Sequence, residues 1–242
     1  VTPTLRVCAL YPDLMNIYAD RGNLMLLQKR CEWRGMGFEL TASGLGEPLD
    51  PDSADFFYIG GGQDRDQVQV AGDMAATKRA GLHAAADAGR VILAVCGGYQ
   101  LLGNAYHVGG RDLPGVGIVD METAREDGPR LIGNCAIEVD LGDGPQVIAG
   151  FENHGGRTRL GPGATPLGKV LKGHGNNGED GAEGVRRDNV FGTYLHGPLL
   201  PKNAWLADRL VALALGVDSL PDLDDTFEDA AHAAARRAAG LG

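Results

Sequence analysis

No apolar stretch approaches the ~18 residues that a membrane-spanning helix requires, so the sequence offers no candidate transmembrane segment. Positive charge is also in short supply: 22 Lys and Arg face 32 Asp and Glu, for a net charge of -10. Proteins that track a phosphate backbone carry a basic surplus and basic clusters, so the charge balance argues against a nucleic-acid partner. Cysteine is sparse, at four residues: Cys8, Cys31, Cys96 and Cys135. None forms a C-x-x-C pair or stands at zinc-ligand spacing from a histidine, which argues against a disulfide framework and a structural metal site. The first residues lack the basic stretch and small-residue cleavage site of a secretory leader. A soluble, cytoplasmic protein without a bound metal is expected.

What the chain has in excess is glycine, 38 of 242 residues, without the G-x-y period of collagen. Tight turns and close backbone approaches account for such a surplus. Apolar runs at 5–11, 56–59, 91–95 and 190–195 read as strands. Leu24, Leu27 and Cys31 recur at helical spacing before Gly35 and Gly37, and 74–89 reads as another helix. This alternation predicts an α/β fold: an open, mostly parallel sheet flanked by helices. The uniform run Val91–Val95 is placed at its centre, buried on both faces.

Short pieces at 116–119, 135–139 and 146–151 are expected as antiparallel additions to that sheet. Residues 161–184, rich in glycine, read as a long surface loop. Helices are expected after Pro201 and between Asp224 and Ala239. One domain over 1–242, with a helical tail from about 222, is the expected organisation.

The most informative local feature is Leu93-Ala-Val-Cys-Gly-Gly-Tyr-Gln100. A cysteine between a buried strand and two glycines fits a nucleophile elbow, a strained turn that lifts the side chain clear of the sheet. The following helix start would favour the thiolate. A buried packing cysteine is the competing reading, and it is the one expected for Cys8, Cys31 and Cys135. A thiolate nucleophile needs a base, and His196, at the end of Phe191-Gly-Thr-Tyr-Leu-His-Gly197, follows a second strand. His154 is its rival, while His83, His107, His174 and His232 read as solvated.

Backbone N–H groups of Gly61, Gly62 and Gly97 are candidates for an oxyanion hole. The Gly60–Gly62 cluster is not a phosphate loop, since no Gly-Lys-Ser/Thr follows and Asp64 and Asp66 would repel phosphate. No acid follows His196 two residues on, where Gly197-Pro198 stands. Glu152, Asp120 and Asp188 are candidates for an orienting carboxylate; the alternative is that the pair is incomplete within this chain.

Taken together, Gly60–Gly62, Cys96-Gly-Gly-Tyr-Gln100 and Thr193-Tyr-Leu-His-Gly197 resemble the class I, triad-type glutamine amidotransferases, whose core is flavodoxin-like. The branch resembled is that of cobyric acid synthase glutaminase domains. Tyr11–Asn23 and Gly150–Arg157 are similar to the small glutaminase subunits of lipid II isoglutaminyl synthases. The resemblance implies that Cys96 attacks the amide of free L-glutamine, that His196 is base and then acid, and that Arg130 binds the substrate. It implies a heterodimer with a Mur-ligase-like subunit that holds ATP and Mg and amidates the D-glutamate α-carboxylate of the peptidoglycan stem peptide. That partner would supply the third catalytic carboxylate, and its lipid II substrate would bring the complex to the inner face of the membrane.

Arg21, Asn23, Glu152, His154 and Arg157 are expected to line the pocket or the subunit interface. Alternatives are a glutaminase serving cobyrinate or cobyrate amidation, an unrelated cysteine hydrolase, and a non-enzymatic module with a buried Cys96.

Overall fold

The computed structural model describes residues 2–16 and 21–242, so the middle of the Tyr11–Asn23 motif lies outside the described residues. The first half of the chain alternates strand and helix. β1 (Thr4–Leu10), α1 (Arg21–Trp33), β2 (Gly37–Ser43) and β3 (Phe56–Ile59) are followed by α2 (Asp64–Asp73), which runs through a π-helical turn at Met74–Lys78 into α3 (Arg79–Asp87). β4 (Val91–Val95) leads into the five-residue α4 (Gly97–Leu101).

The second half is mostly strand: β5 (Ala105–Val108), β6 (Arg111–Pro114), β7 (Met121–Arg125), β8 (Leu131–Asp140), β9 (Pro145–His154) and β10 (Gly156–Leu160). There follow β11 (Gly168–Lys172), β12 (Ala182–Glu183), β13 (Val185–Arg187) and β14 (Val190–Thr193). A 3-10 turn at Leu200–Lys202, α5 (Ala204–Leu215) and α6 (Thr226–Ala238) close the chain.

The central sheet has the order β13-β14-β4-β3-β1-β2, with every pairing parallel except β13 against β14. Every residue of β3 and β4 is buried, as expected for strands covered on both faces. Side chains alternate between faces, so neighbouring residues enter different cores. Phe57, Ile59 and Ile92 pack with Val70, Leu82 and Ala85 of the α2–α3 layer. Phe56, Tyr58 and Leu93 pack with Leu27 and Cys31 of α1 and Leu206 and Leu210 of α5. The register Leu10↔Ile59, Ile59↔Ala94 and Val95↔Thr193 brings the carboxyl ends of four parallel strands to one edge. There Tyr11, Gly60, Cys96 and Tyr194 begin the loops.

Three expectations are corrected. The pieces at 135–139 and 146–151 form the β8–β9 hairpin, which joins β11 and β12 in a separate four-stranded antiparallel sheet. They do not extend the parallel sheet, because β13 already covers the edge beside β14. The hairpin meets the central sheet through a bridge between Phe151 and His196. Residues 116–119 are not a strand: Val116, Gly117 and Ile118 donate their N–H groups to carbonyls of Leu101, Gly103 and Leu102, satisfying the end of α4.

Nor is 161–184 a simple surface loop. It contains β11 and β12, and it buries Asn176, Asn177 and Glu183. Asn176 accepts from Tyr99 Oη (2.9 Å) and Gly184 N (2.8 Å), while its amide donates to Gly184 O (3.0 Å). These side chains give the glycine-rich backbone the partners that a short strand ladder lacks.

Candidate active site

Cys96 has φ 51° and ψ -106°, a left-handed φ for a residue with a side chain, directly after β4. Strain of this kind persists only where the surroundings over-determine it. Here Cys96 N donates to Thr193 O (2.8 Å), Gln100 N to Cys96 O (3.1 Å), and Gly98 N to Gly60 O (3.1 Å). A Cβ on Gly97 would stand 2.8 Å from Gly62 N and 2.9 Å from Gln67 Nε2. One on Gly98 would stand 2.6 Å from Ile59 Cγ2. Both glycines are therefore required by the close approach of the β3 and β4 ends. The elbow expected from sequence is present, with Gly62 against its first residue.

His196 lies three residues beyond β14, next to β4 in the sheet. Its backbone is paired in both directions with Phe151 (2.9 and 3.3 Å), and its ring meets the Phe151 ring edge-on at 5.7 Å. The side chain is buried. Burial pushes the imidazole down to about 4, and the charges of Lys202, His154 and Arg130 add to this, while Glu152 opposes it. The imidazole is thus held neutral in a largely cationic surrounding.

Arg130 precedes β8. Its Nε donates to Asn153 Oδ1 (2.8 Å) and Nη2 to Asn153 O (2.7 Å), which fixes an exposed guanidinium fork near His196. The remaining sequence candidates act mostly as framework. Asn23 is fully buried; its amide donates to Tyr58 Oη (2.8 Å) and its Oδ1 accepts from Leu200 N (2.8 Å), tying α1 to the segment after His196. Arg21 lines a separate cavity of about 360 Å³ with Leu10, Met15 and Tyr58.

Glu152 accepts from His174 N (2.7 Å) and Gly175 N (2.9 Å), and its Oε2 lies 3.9 Å from His154 Nε2. His154 donates through Nδ1 to Gly156 O (2.8 Å) and stacks on Tyr194 at 3.5 Å, so it supports the site from behind. Arg157 donates to the carbonyls of Pro129, Gly155 and Gly156. Of the carboxylates considered as partners for His196, Asp120 and Asp188 line a different cavity, and Asp188 precedes β14 at the end opposite His196.

Several contributors were not singled out from the sequence. Gln67 Nε2 donates to Gly97 O (3.1 Å) and Gln100 Oε1 (2.7 Å), and Gln100 Nε2 donates to Tyr194 Oη (3.2 Å). The Thr158 hydroxyl continues the chain at 2.7 Å from Tyr194 Oη. This buried network joins the elbow to the strand that ends near His196. Glu183, fully buried, accepts from Tyr194 N (2.7 Å) and the Thr193 hydroxyl; burial pushes its carboxyl up to about 8. Lys202 folds back so that Nζ stands 3.6 Å from the place of a Gly197 Cβ. The only local signal for Gln67 and Gln100 is a polar residue in a run otherwise suited to burial. Among the described residues no cluster of three or more His, Cys, Asp and Glu side chains is arranged for a metal, and no helix is long and apolar enough to cross a membrane.

Residues 6–204 match the CobB/CobQ-like glutamine amidotransferase domain. The chain is 41% identical over 212 residues to the lipid II isoglutaminyl synthase (glutamine-hydrolyzing) subunit GatD of Streptococcus pneumoniae, covering 87% of this chain and 80% of that protein. Against the GatD subunit of Staphylococcus aureus, identity is 40%, with 86% and 84% covered. A cobyric acid synthase from Pelotomaculum thermopropionicum is 35% identical, but only 37% of its length is covered. Among solved structures, PurLQS from Thermotoga maritima shares the fold, with a TM-score of 0.56 at 20% identity over 89% of this chain and 96% of that one.

Proposed function

The chain belongs to the CobB/CobQ-like glutamine amidotransferase family, and from that premise we propose that it is the glutaminase subunit of a lipid II isoglutaminyl synthase. It hydrolyses L-glutamine and delivers ammonia to a Mur-ligase-like, ATP-dependent subunit, which amidates the D-glutamate α-carboxylate of the stem peptide. The observation that carries this reading is the strained Cys96 elbow packed against Gly62, in a chain 41% identical to such a subunit over most of both lengths.

In this reading the Cys96 thiol passes its proton to His196 as sulfur attacks the amide carbon of glutamine. The tetrahedral oxyanion is received by backbone N–H groups of Gly62 and Gly97, with Gly61 shaping the strand end. Donors fixed in place act on charge that exists only at this stage, so they lower the barrier without strengthening ground-state binding. His196 returns the proton to the leaving nitrogen, ammonia departs, and water hydrolyses the glutamyl thioester through a second oxyanion. Arg130 presents its fork to the α-carboxylate of glutamine.

His196, held at about 4 by burial and nearby cations, is a weak base in the chain alone. A carboxylate brought by the partner subunit would raise its proton affinity, so hydrolysis would be tied to assembly and ammonia would not be wasted. Cobyrinate or cobyrate amidation is less well supported, because the matching cobyric acid synthase is covered over only 37% of its length.

The deciding experiment is ammonia release from L-glutamine by the chain alone and with its Mur-ligase-like partner, with Cys96→Ala as control. Slow release alone, a rise of at least tenfold with partner and loss in the variant are expected. Release that survives Cys96→Ala, or none in the complex, would overturn the reading.

A further inference from the structure

The reaction just described uses nothing from the Tyr11–Asn23 motif, yet the first turn of that motif packs on Gly62. Leu14 N and Met15 N both donate to Tyr11 O (3.0 and 2.8 Å), which curls the chain back toward the end of β3. A Cβ on Gly62 would run into Met15 Sδ and stand 3.4 Å from Leu14 O, and Met15 itself is buried. In the sheet β3 lies between β1 and β4. The residue after each of these flanking strands, Tyr11 and Cys96, has a φ of 51°; Asp188 is the only other left-handed non-glycine among the described residues. Strain of this kind collects at functional sites.

The turn is fixed through its first side chain. Tyr11 N donates to Ser43 O (2.9 Å) and its hydroxyl to Asp73 Oδ2 (2.7 Å), while the ammonium of the fully buried Lys78 lies over its ring, 4.6 Å from the centroid. Lys78 Nζ donates to the carbonyls of Gly44 and Glu47 (both 2.6 Å) and to Asp73 Oδ2 (3.4 Å), and Asp73 Oδ1 accepts from Gly46 N (2.8 Å). On an α-helix two residues five apart lie about 140° apart around the axis. The π-helical turn Met74–Lys78 is what brings Asp73 and Lys78 together. A buried ion pair adds little net stability, because its charges give up their water; this one holds a single geometry of the Tyr11 turn.

We propose that Met15, carried on the Tyr11 turn, is a positioning residue that fixes the Gly62 peptide so that its N–H meets the oxyanion formed from glutamine. The inference deepens the function proposed above and rests on it. An N–H kept for the oxyanion cannot be tied up by a hydrogen bond of its own in the resting site, so its aim depends on what packs around the glycine. Gly62 has no side chain to restrict its backbone. Met15 supplies that restriction from outside, its sulfur standing where a Gly62 Cβ would reach. An unbranched thioether fills an irregular gap of this sort well, and the Tyr11–Asp73–Lys78 cluster keeps the turn from yielding. The contact is with the oxyanion strand and not with Arg130, so its loss belongs in kcat and not in KM.

The test is steady-state ammonia release by the complex with the Mur-ligase-like partner for Met15→Ala, Met15→Leu and Tyr11→Phe, with circular dichroism to confirm folding. Affinity for L-glutamate γ-semialdehyde is measured beside it, since addition of the Cys96 thiol to the aldehyde carbon places the aldehyde oxygen at the oxyanion position. In Met15→Ala, kcat should fall about tenfold to a hundredfold with KM for glutamine within about twofold of native. The semialdehyde should bind more weakly by a similar factor. Met15→Leu, which conserves volume, should recover most of both. Tyr11→Phe loses only the bond to Asp73; it should lower kcat several-fold, and it decides alone if Met15→Ala does not fold. Native kcat and native semialdehyde affinity in the folded variants overturn the proposal. So does a raised KM at constant kcat, which would make the turn part of the glutamine pocket. A native complex that releases no ammonia removes the functional reading and the proposal with it, whereas native release that every variant retains removes the proposal alone.

Discussion

At the elbow, one hydrogen atom separates a working turn from a blocked one. A methyl on Gly97 would meet Gly62 N at 2.8 Å, and Gly62 carries one of the two N–H groups assigned to the oxyanion. Gly97→Ala should therefore push the β3 end away from the elbow. Loss of one such donor typically costs about 10²–10³ in kcat, while the stability cost should stay near 1–2 kcal/mol. Ammonia release and a urea melt on the same sample check the pair; equal losses in both would mean that the turn is structural only.

Glu183 makes a second residue-scale prediction. Its carboxyl is raised to about 8 by burial, so the folded form keeps a proton that the unfolded chain gives up near 4.5. Its contribution is present below pH 4.5 and is lost as pH rises through 8. His196, depressed to about 4, works in the opposite sense: stability falls as pH drops from about 6.5 to 4. Above pH 6.5 the histidine effect is complete and the glutamate effect continues. Glu183→Gln, which keeps the shape, should flatten a decline on the order of 1–2 kcal/mol between pH 6.5 and 8. Thermal melts across that range check it, and parallel curves for the two proteins would contradict it. Glu183 was not legible in the sequence, because a lone polar residue in a two-residue strand leaves no periodic trace. The turn at Cys96 was legible because a buried strand that runs into two glycines announces where it turns.

At the scale of elements, the turn between β9 and β10 connects framework to chemistry. Arg157 is nearly buried, yet it bonds only carbonyls, those of Pro129, Gly155 and Gly156. It thereby fixes the residue before Arg130, whose fork is in turn set on Asn153. Arg157→Ala should leave the Pro129 and Gly155 carbonyls without this donor, Gly156 O keeping His154, and let Arg130 drift. The expected result is a KM for glutamine raised about tenfold with kcat within a few-fold of native, and a stability loss of about 1–3 kcal/mol. A change in kcat alone would place Arg157 elsewhere in the mechanism.

β1, α1, β3, α3 and β4 were readable from runs and spacing, whereas the polar α2 was not among the expected helices. The partition of the second half into two further sheets, β12-β11-β8-β9 and β10-β7-β5-β6, was not. The residues of the β8–β9 hairpin alternate as any half-buried hairpin does, and which edge it joins depends on β13 having taken the place beside β14.

Across the whole molecule, the C-terminal helix is fastened to the core by charge. Arg30 of α1 is completely buried and bonds Asp208 of α5 and Asp225 at the start of α6, while Arg34 donates to Asp208 (2.6 Å) and Pro221 O (2.6 Å). α6 itself has no buried residue, so this latch and the His232 bond to Lys202 O carry much of its attachment. Arg30 holds the Asp225 carboxyl below its usual range through a hydrogen bond and its charge. That contribution is therefore present above pH ~4 and is lost as pH falls through the lowered value.

Asp225→Asn should weaken the latch while Arg30 keeps Asp208, so no buried cation is stranded. Arg30→Ala should do more harm, about 3 kcal/mol or more, because two carboxylates then face each other without it. Hydrogen exchange distinguishes local release from global loss. In Asp225→Asn the amides of α6 should exchange at least tenfold faster while those of β4 and β14 keep native protection. Unchanged protection in α6 would mean that its packing on α5 and β9 holds it without the latch.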